Sequence, residues 1–180
     1  MTRLLLLLGY LMLAVVTAGL FGALHDQISY TVAPEYFTRF KFIQFDLEYA
    51  DTPERLRVAQ IGFLASWWMG VPIGLLAGLA GFVQRDARAM RRALLWSLPL
   101  IVGFTLAVAL GGLAYGFVQT STFDLADYAG WFIPDNLEQP RNYLCAGYMH
   151  NAAYLGGALA IPAAWLFHIG FRLRDRPARG

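Results

Sequence analysis

The chain has 180 residues, 58% of them hydrophobic, and 14 basic against 12 acidic side chains leave a net charge of +2. A composition this apolar points to a membrane protein and away from a disordered chain or a disulfide scaffold. Basic groups gathered at the ends of apolar stretches exclude a nucleic-acid partner, and the single cysteine, Cys145, excludes an internal disulfide or a dithiol redox centre.

The first apolar stretch, residues 4–24, carries no charge. At 1.5 Å rise per residue it covers roughly 31 Å, enough to cross a hydrocarbon core. Arg3, the leucine run and Val16-Thr17-Ala18 also have the form of a secretory signal with a small-residue cleavage site. The run continues to spanning length, which favours a retained helix. Ala14, Ala18 and Gly22 form a row of small residues on one of its faces.

Residues 25–57 make the first long connection. Ala33-Pro34-Glu35 has a first-turn proline and an acid favoured by the helix dipole, and it opens an aromatic-rich stretch over 36–45. That pattern predicts a short helix at headgroup level. Phe40, Phe42, Phe45, Leu47 and Tyr49 also alternate like a strand, so the period alone does not decide. Thr52-Pro53-Glu54 repeats the start signal, so the second helix begins ahead of its span at about 58–83.

In that span Gly70, Gly74 and Gly78 recur at four-residue steps. Such a ridge predicts close helix approach, either inside a compact bundle or between two copies in a homodimer. Trp67 and Trp68 are expected to fill grooves between helices, and Pro72 predicts a kink.

The short connection 84–92 carries Arg85, Arg88, Arg91 and Arg92 against Asp86. The third span, about 93–118, offers Gly103, Ala107 and Gly111 as its small row. In the connection 119–142, Ser121-Thr122-Phe123-Asp124 resembles a capping signal for a short surface helix near residues 125–128, and Trp131 reads as an interfacial anchor. Asp124, Asp127, Asp135 and Glu138 form an acidic rim without the ligand spacing of a calcium loop. The fourth span, about 143–171, has the row Gly156, Ala160 and Ala164, with Pro162 as a second kink. His168 reads as a solvated boundary residue near the arginines. The tail 172–180 adds Arg172, Arg174, Arg176 and Arg179.

Orientation follows from the arginines. The two long connections hold five basic residues (Arg39, Lys41, Arg55, Arg57 and Arg141) against ten acids, whereas Arg3, the short connection and the tail are basic. The positive-inside rule places the basic set in the cytoplasm. The expected architecture is an all-α integral membrane protein: one membrane domain over 1–180, a four-transmembrane-helix bundle with short interfacial helices in its outer loops. It would occupy a bacterial-type inner membrane with both termini cytoplasmic. Its first partner is the lipid bilayer.

Polar groups collect on the outer side. His25 and Asp26 follow the first span, and His150 with Asn151 lies near the outer start of the fourth. In an up-down bundle the first and fourth helices are often neighbours, so the two imidazoles are expected at similar depth and within reach of each other. His25 and His150, with Asp26 or Glu35 completing the site or orienting a ring, suit a metal ion; two histidines also suit a haem. Against this stand simpler roles: His25 as an interfacial cap, His150 as a hydrogen-bonding partner of a neighbouring helix, Glu35 as a first-turn acid. Tyr143, Gly147, His150 and Tyr154 fall on one face, and with Asn151 they offer a pocket for a lipid headgroup, quinone or other amphiphile.

Several chemistries are excluded. The chain has no Gly-x-Ser-x-Gly elbow, no phosphate-binding glycine loop and no His-Glu-x-x-His helix. No span carries a carboxylate of the kind that proton-coupled efflux by a small four-helix dimer requires. The expected function is binding of a metal, haem or amphiphile at the outer ends of the first and fourth helices. The alternatives are an accessory subunit of a larger membrane complex, or a membrane enzyme or electron carrier using the same histidines.

Overall fold

The computed structural model describes residues 2–49, 51–122 and 124–174. Arg176 and Arg179 of the tail and Phe123 of the capping signal lie outside the described residues. Among those described the fold is entirely helical. Four helices are long and apolar enough to cross a membrane: α1 (Arg3–Val32), α3 (Glu54–Val83), α4 (Ala87–Gln119) and α5 (Pro140–Arg174). Between α1 and α3 lies α2 (34–44), a short segment built around a π-helical turn at Phe37–Lys41.

Each long helix extends beyond its uncharged stretch because its flanks carry start signals. Thr2 Oγ1 accepts the Leu5 N–H of α1, and Asp86 Oδ1 accepts the N–H groups of Arg88 and Ala89 at 2.8 Å each, capping α4. These donors, Ala89 first, hold the Asp86 carboxyl below its usual range. Pro53 and Pro140 stand at the starts of α3 and α5, where a missing N–H costs nothing. In α3 the turn ahead of Pro72 tightens to 3-10 geometry at Trp67–Met69, as expected where a proline removes a donor. Pro99 and Pro162 lie inside helices that continue through them.

Small residues set the packing. Gly22 of α1 and Gly62 of α3 face each other so closely that a Cβ on either would collide with the other's backbone. Farther along, Gly70 faces Ala14 and Val15, Gly74 faces Ala14, and Gly78 faces Leu7 and Tyr10. The glycine ridge is therefore filled by α1 from within the chain. The most extensive packing is α4 on α5, where Gly112 meets Ala152, Gly116 meets Tyr148, and Gly156 meets Thr105.

Three expectations need correction. Gly103, Ala107 and Gly111 lie on the exposed side of α4; the buried row is Thr105, Ala109 and Gly116. Trp67 and Trp68 are 43% and 49% exposed and point away from the bundle, Trp68 Nε1 donating to the Ala65 carbonyl at 2.8 Å. His168 is fully buried, with Gln84 Nε2 donating to its carbonyl oxygen at 2.8 Å. A helix apolar on all sides gives no periodic signal of which face turns inward, and that is the source of the first two misplacements.

The two ends of the bundle differ. At one, the Arg3 side chain donates to the Arg85 carbonyl and Arg172 to the Val83 carbonyl, gathering α1, α5 and the arginine-rich connection. At the other, α2 packs its Tyr36, Phe37 and Phe42 against Val58, Ile61, Tyr143 and Ala146. A short 3-10 turn at Leu125–Tyr128, capped by Asp124, covers the same end.

Candidate functional site

Because α1 continues to Val32, His25, Asp26 and Ser29 occupy its last turns, with His25 and Ser29 one helical turn apart on the same face. The N-terminal part of α5, at the end of the bundle that bears α2, brings His150 to them. Asp26 Oδ1 is 2.9 Å from His25 Nδ1 and 3.8 Å from His150 Nε2. The two imidazoles meet edge to face with ring centroids 4.9 Å apart. The Ser29 hydroxyl donates to the Asp26 carbonyl at 3.3 Å, and its oxygen lies 3.1 Å from His150 Nε2.

Nδ1 of His25 faces the Asp26 carboxylate, and its Nε2 lies on the other side of the ring. That Nε2 is buried with no hydrogen-bond partner. His25 and Asp26 are each only 4% exposed and Ser29 is fully buried. A ligand atom from each of His25, Asp26 and His150 lies within 4.8 Å of the other two.

The surrounding shell comes from α2. Tyr36 stacks on His150 with centroids 4.8 Å apart and an interplanar angle of 25°, and Phe37 closes a second side. Burial raises the Tyr36 phenol above its ordinary range, keeping it neutral. The π-helical turn carries Lys41 to the head of the cluster, where its Nζ bonds Gln44 Oε1 at 2.9 Å and lies 4.4 Å from the Phe40 ring centroid. Burial holds the Lys41 ammonium below the usual lysine range, with Asp26 acting against that shift.

Beneath the cluster a cleft of about 110 Å³ runs between the four long helices. It reaches from His25, Asp26, Lys41 and His150 at the end bearing α2 to Tyr10, whose hydroxyl lies 3.0 Å from Ser97 Oγ in a buried contact.

The residues expected at the site separate into three groups. His25, Asp26 and His150 come together as described. Glu35 does not join them: its two carboxylate oxygens accept the backbone N–H groups of Glu138 and Gln139 at 2.9 and 2.7 Å, clasping the second outer connection to the first. The expected ligand face divides as well. Tyr154 lines the cleft, while Tyr143 and Asn151 line a separate outer cavity with Tyr36, Phe40, Trp131 and Phe132. Tyr143 is tied there, donating its hydroxyl to the Phe132 carbonyl at 2.9 Å. Asn151 is rotated about 100° from His150 around the helix and so cannot share its direction.

Sequence reasoning passed over Ser29 and Lys41 as members of the site. Ser29 had a readable signal, four residues beyond His25 on a helix that continues. Lys41 had none, since a π-helical turn breaks the period by which its direction would be judged.

The donor set and its setting decide which group fits. Two imidazoles and one carboxylate with ligand atoms within 4.8 Å of one another suit a divalent transition metal. A haem does not fit: its plane would have to pass between two rings that touch edge to face, one of them already stacked on Tyr36. The chain matches no known protein-family model, no curated protein and no solved structure.

Proposed function

We propose that this is a multi-pass membrane protein, both termini cytoplasmic, whose outer end binds a divalent transition-metal ion through His25, His150 and Asp26. The observation that carries the proposal is the mutual approach of the three ligand atoms within 4.8 Å, in a setting where His25 and Asp26 are each 4% exposed. Three protein donors leave a coordination position open, the arrangement of a site that acts on something rather than one that only braces a fold. The bound ion would supply Lewis-acid or redox chemistry there. Asp26 Oδ1, which faces His25 Nδ1 and His150 Nε2, is the oxygen such an ion would share with both rings.

The membrane setting is supported by the apolar side chains facing outward: Met12, Leu24 and Leu166 are 66%, 71% and 71% exposed. A soluble monomer rarely presents so continuous an apolar surface. The arginines clustered at one end support the orientation. An accessory role through the Gly70, Gly74 and Gly78 ridge gains no support, because α1 fills that ridge.

The test is metal content by plasma mass spectrometry on protein purified in detergent without chelator, beside a His25→Ala/His150→Ala double variant. We expect about one transition-metal ion per chain, lost in the variant. Protein free of metal even after incubation with zinc, cobalt or ferrous ion would reject the proposal.

A further inference from the structure

We infer that the cleft beneath the triad binds a single-chain acidic amphiphile, its chain between the four long helices and its carboxylate or phosphate head at Lys41 and the triad. The inference deepens the metal reading by naming what the open coordination position meets, and it rests on that reading for the charge at the head.

Polarity along the cleft is graded. Its charged and imidazole groups are all at the outer end, while the walls below carry Ala14, Ala18, Phe21, Ile73 and Val102. The other polar side chains on the walls are neutral hydroxyls. One end suits a charged head and the rest suits hydrocarbon.

The dimensions suit one chain. Tyr10 and Asp26, at the two ends, are sixteen residues apart on α1, which corresponds to roughly 24 Å. A leaflet is half of a hydrocarbon core of about 30 Å, so the cleft holds one acyl chain with its head group.

The charge selects an acid. Lys41 is held by neutral groups, Gln44 Oε1 at 2.9 Å and the Phe40 and Tyr36 rings at 4.4 and 5.8 Å. A divalent ion and Lys41 together outweigh the single carboxylate of Asp26, so the loaded head is electropositive. An anionic oxygen there gains the open metal position and a charge-assisted hydrogen bond from Lys41 in the same place.

The experiment is native mass spectrometry of the metal-loaded protein in detergent, titrated with hexadecanoate, and separately with hexadecyltrimethylammonium, which has the same chain and the opposite charge. The expected result is one hexadecanoate per chain and no adduct with the cation. Lys41→Met should weaken hexadecanoate binding about tenfold to a hundredfold. Ala18→Phe, which fills the cleft, should abolish it. Lys41 lies outside the long helices, so its variant separates loss of the head contact from loss of the fold.

Hexadecanoate held equally by both variants, or the cation held as well as the acid, overturns the inference. Metal-loaded protein that takes up no hexadecanoate overturns it too, and leaves the metal site standing. Hexadecanoate bound in chelator-treated protein and lost in Lys41→Met upholds the cleft and removes the metal from its head.

Discussion

Asp26 is the residue on which the site turns, because one carboxylate oxygen faces both imidazoles. Replacing it by Asn keeps an oxygen that can accept from His25 Nδ1 and removes the anionic charge. We expect Asp26→Asn to bind cobalt about 10- to 100-fold more weakly, read from the visible absorption bands of the bound ion during titration. An unchanged titration would exclude the carboxylate from the site. Glu35 shows the opposite case. Its place at the start of a short helix was legible as a first-turn acid, but its partners are backbone amides 103 and 104 residues farther along. No local spacing encodes a clasp of that range. The approach of His25 to His150 could be expected because each follows from the depth of its own span. The splitting of Tyr143, Asn151 and Tyr154 between two cavities could not, since it depends on where α2 packs.

At the scale of elements, the fold is held by places where backbones nearly touch. Gly62 lies against the Gly22 backbone, whereas Gly103 has open space where a side chain would be added. Gly62→Leu should therefore force α1 and α3 apart and cost at least ~1–3 kcal/mol. Gly103→Leu should leave stability within about 0.5 kcal/mol. Thermal melts of the two variants in the same detergent, followed by circular dichroism, decide this, and equal melting temperatures would refute the crossing. The number of long helices was legible because an uncharged apolar run of spanning length is the direct imprint of a hydrocarbon core, whereas their full lengths, which run past those stretches, were not. The inward face of each was not. Leucine facing lipid and leucine facing a neighbour are chemically the same choice, so small-residue spacing alone favours the row Gly103, Ala107 and Gly111 of α4 over the buried Thr105, Ala109 and Gly116.

At the scale of the whole molecule, the proposed orientation can be checked with the chain's own cysteine economy. Cys145, the single cysteine of the sequence, is buried, with its sulfur 3.4 Å from Thr120 Oγ1. Introduced thiols can then be labelled against a silent background. Tyr49, 91% exposed at the end bearing α2, should react as Tyr49→Cys with an impermeant maleimide on intact cells; Arg91→Cys at the other end should react only after permeabilisation. The reverse pattern would invert the protein in the membrane.

The length of α1 has a consequence for such a setting. It spans 30 residues, about 45 Å, against a hydrocarbon core of about 30 Å, and His25 lies roughly 33 Å from Arg3. In the proposed orientation the triad would lie level with the outer edge of the oily layer. A thicker bilayer would draw Asp26 into hydrocarbon, where a charge costs at least ~2.5–3.5 kcal/mol, and so favour the metal-neutralised form; a thinner one would leave the cluster among wet headgroups. Lipid composition becomes a tuning variable for the site, set by the host membrane and measured in ångströms of thickness.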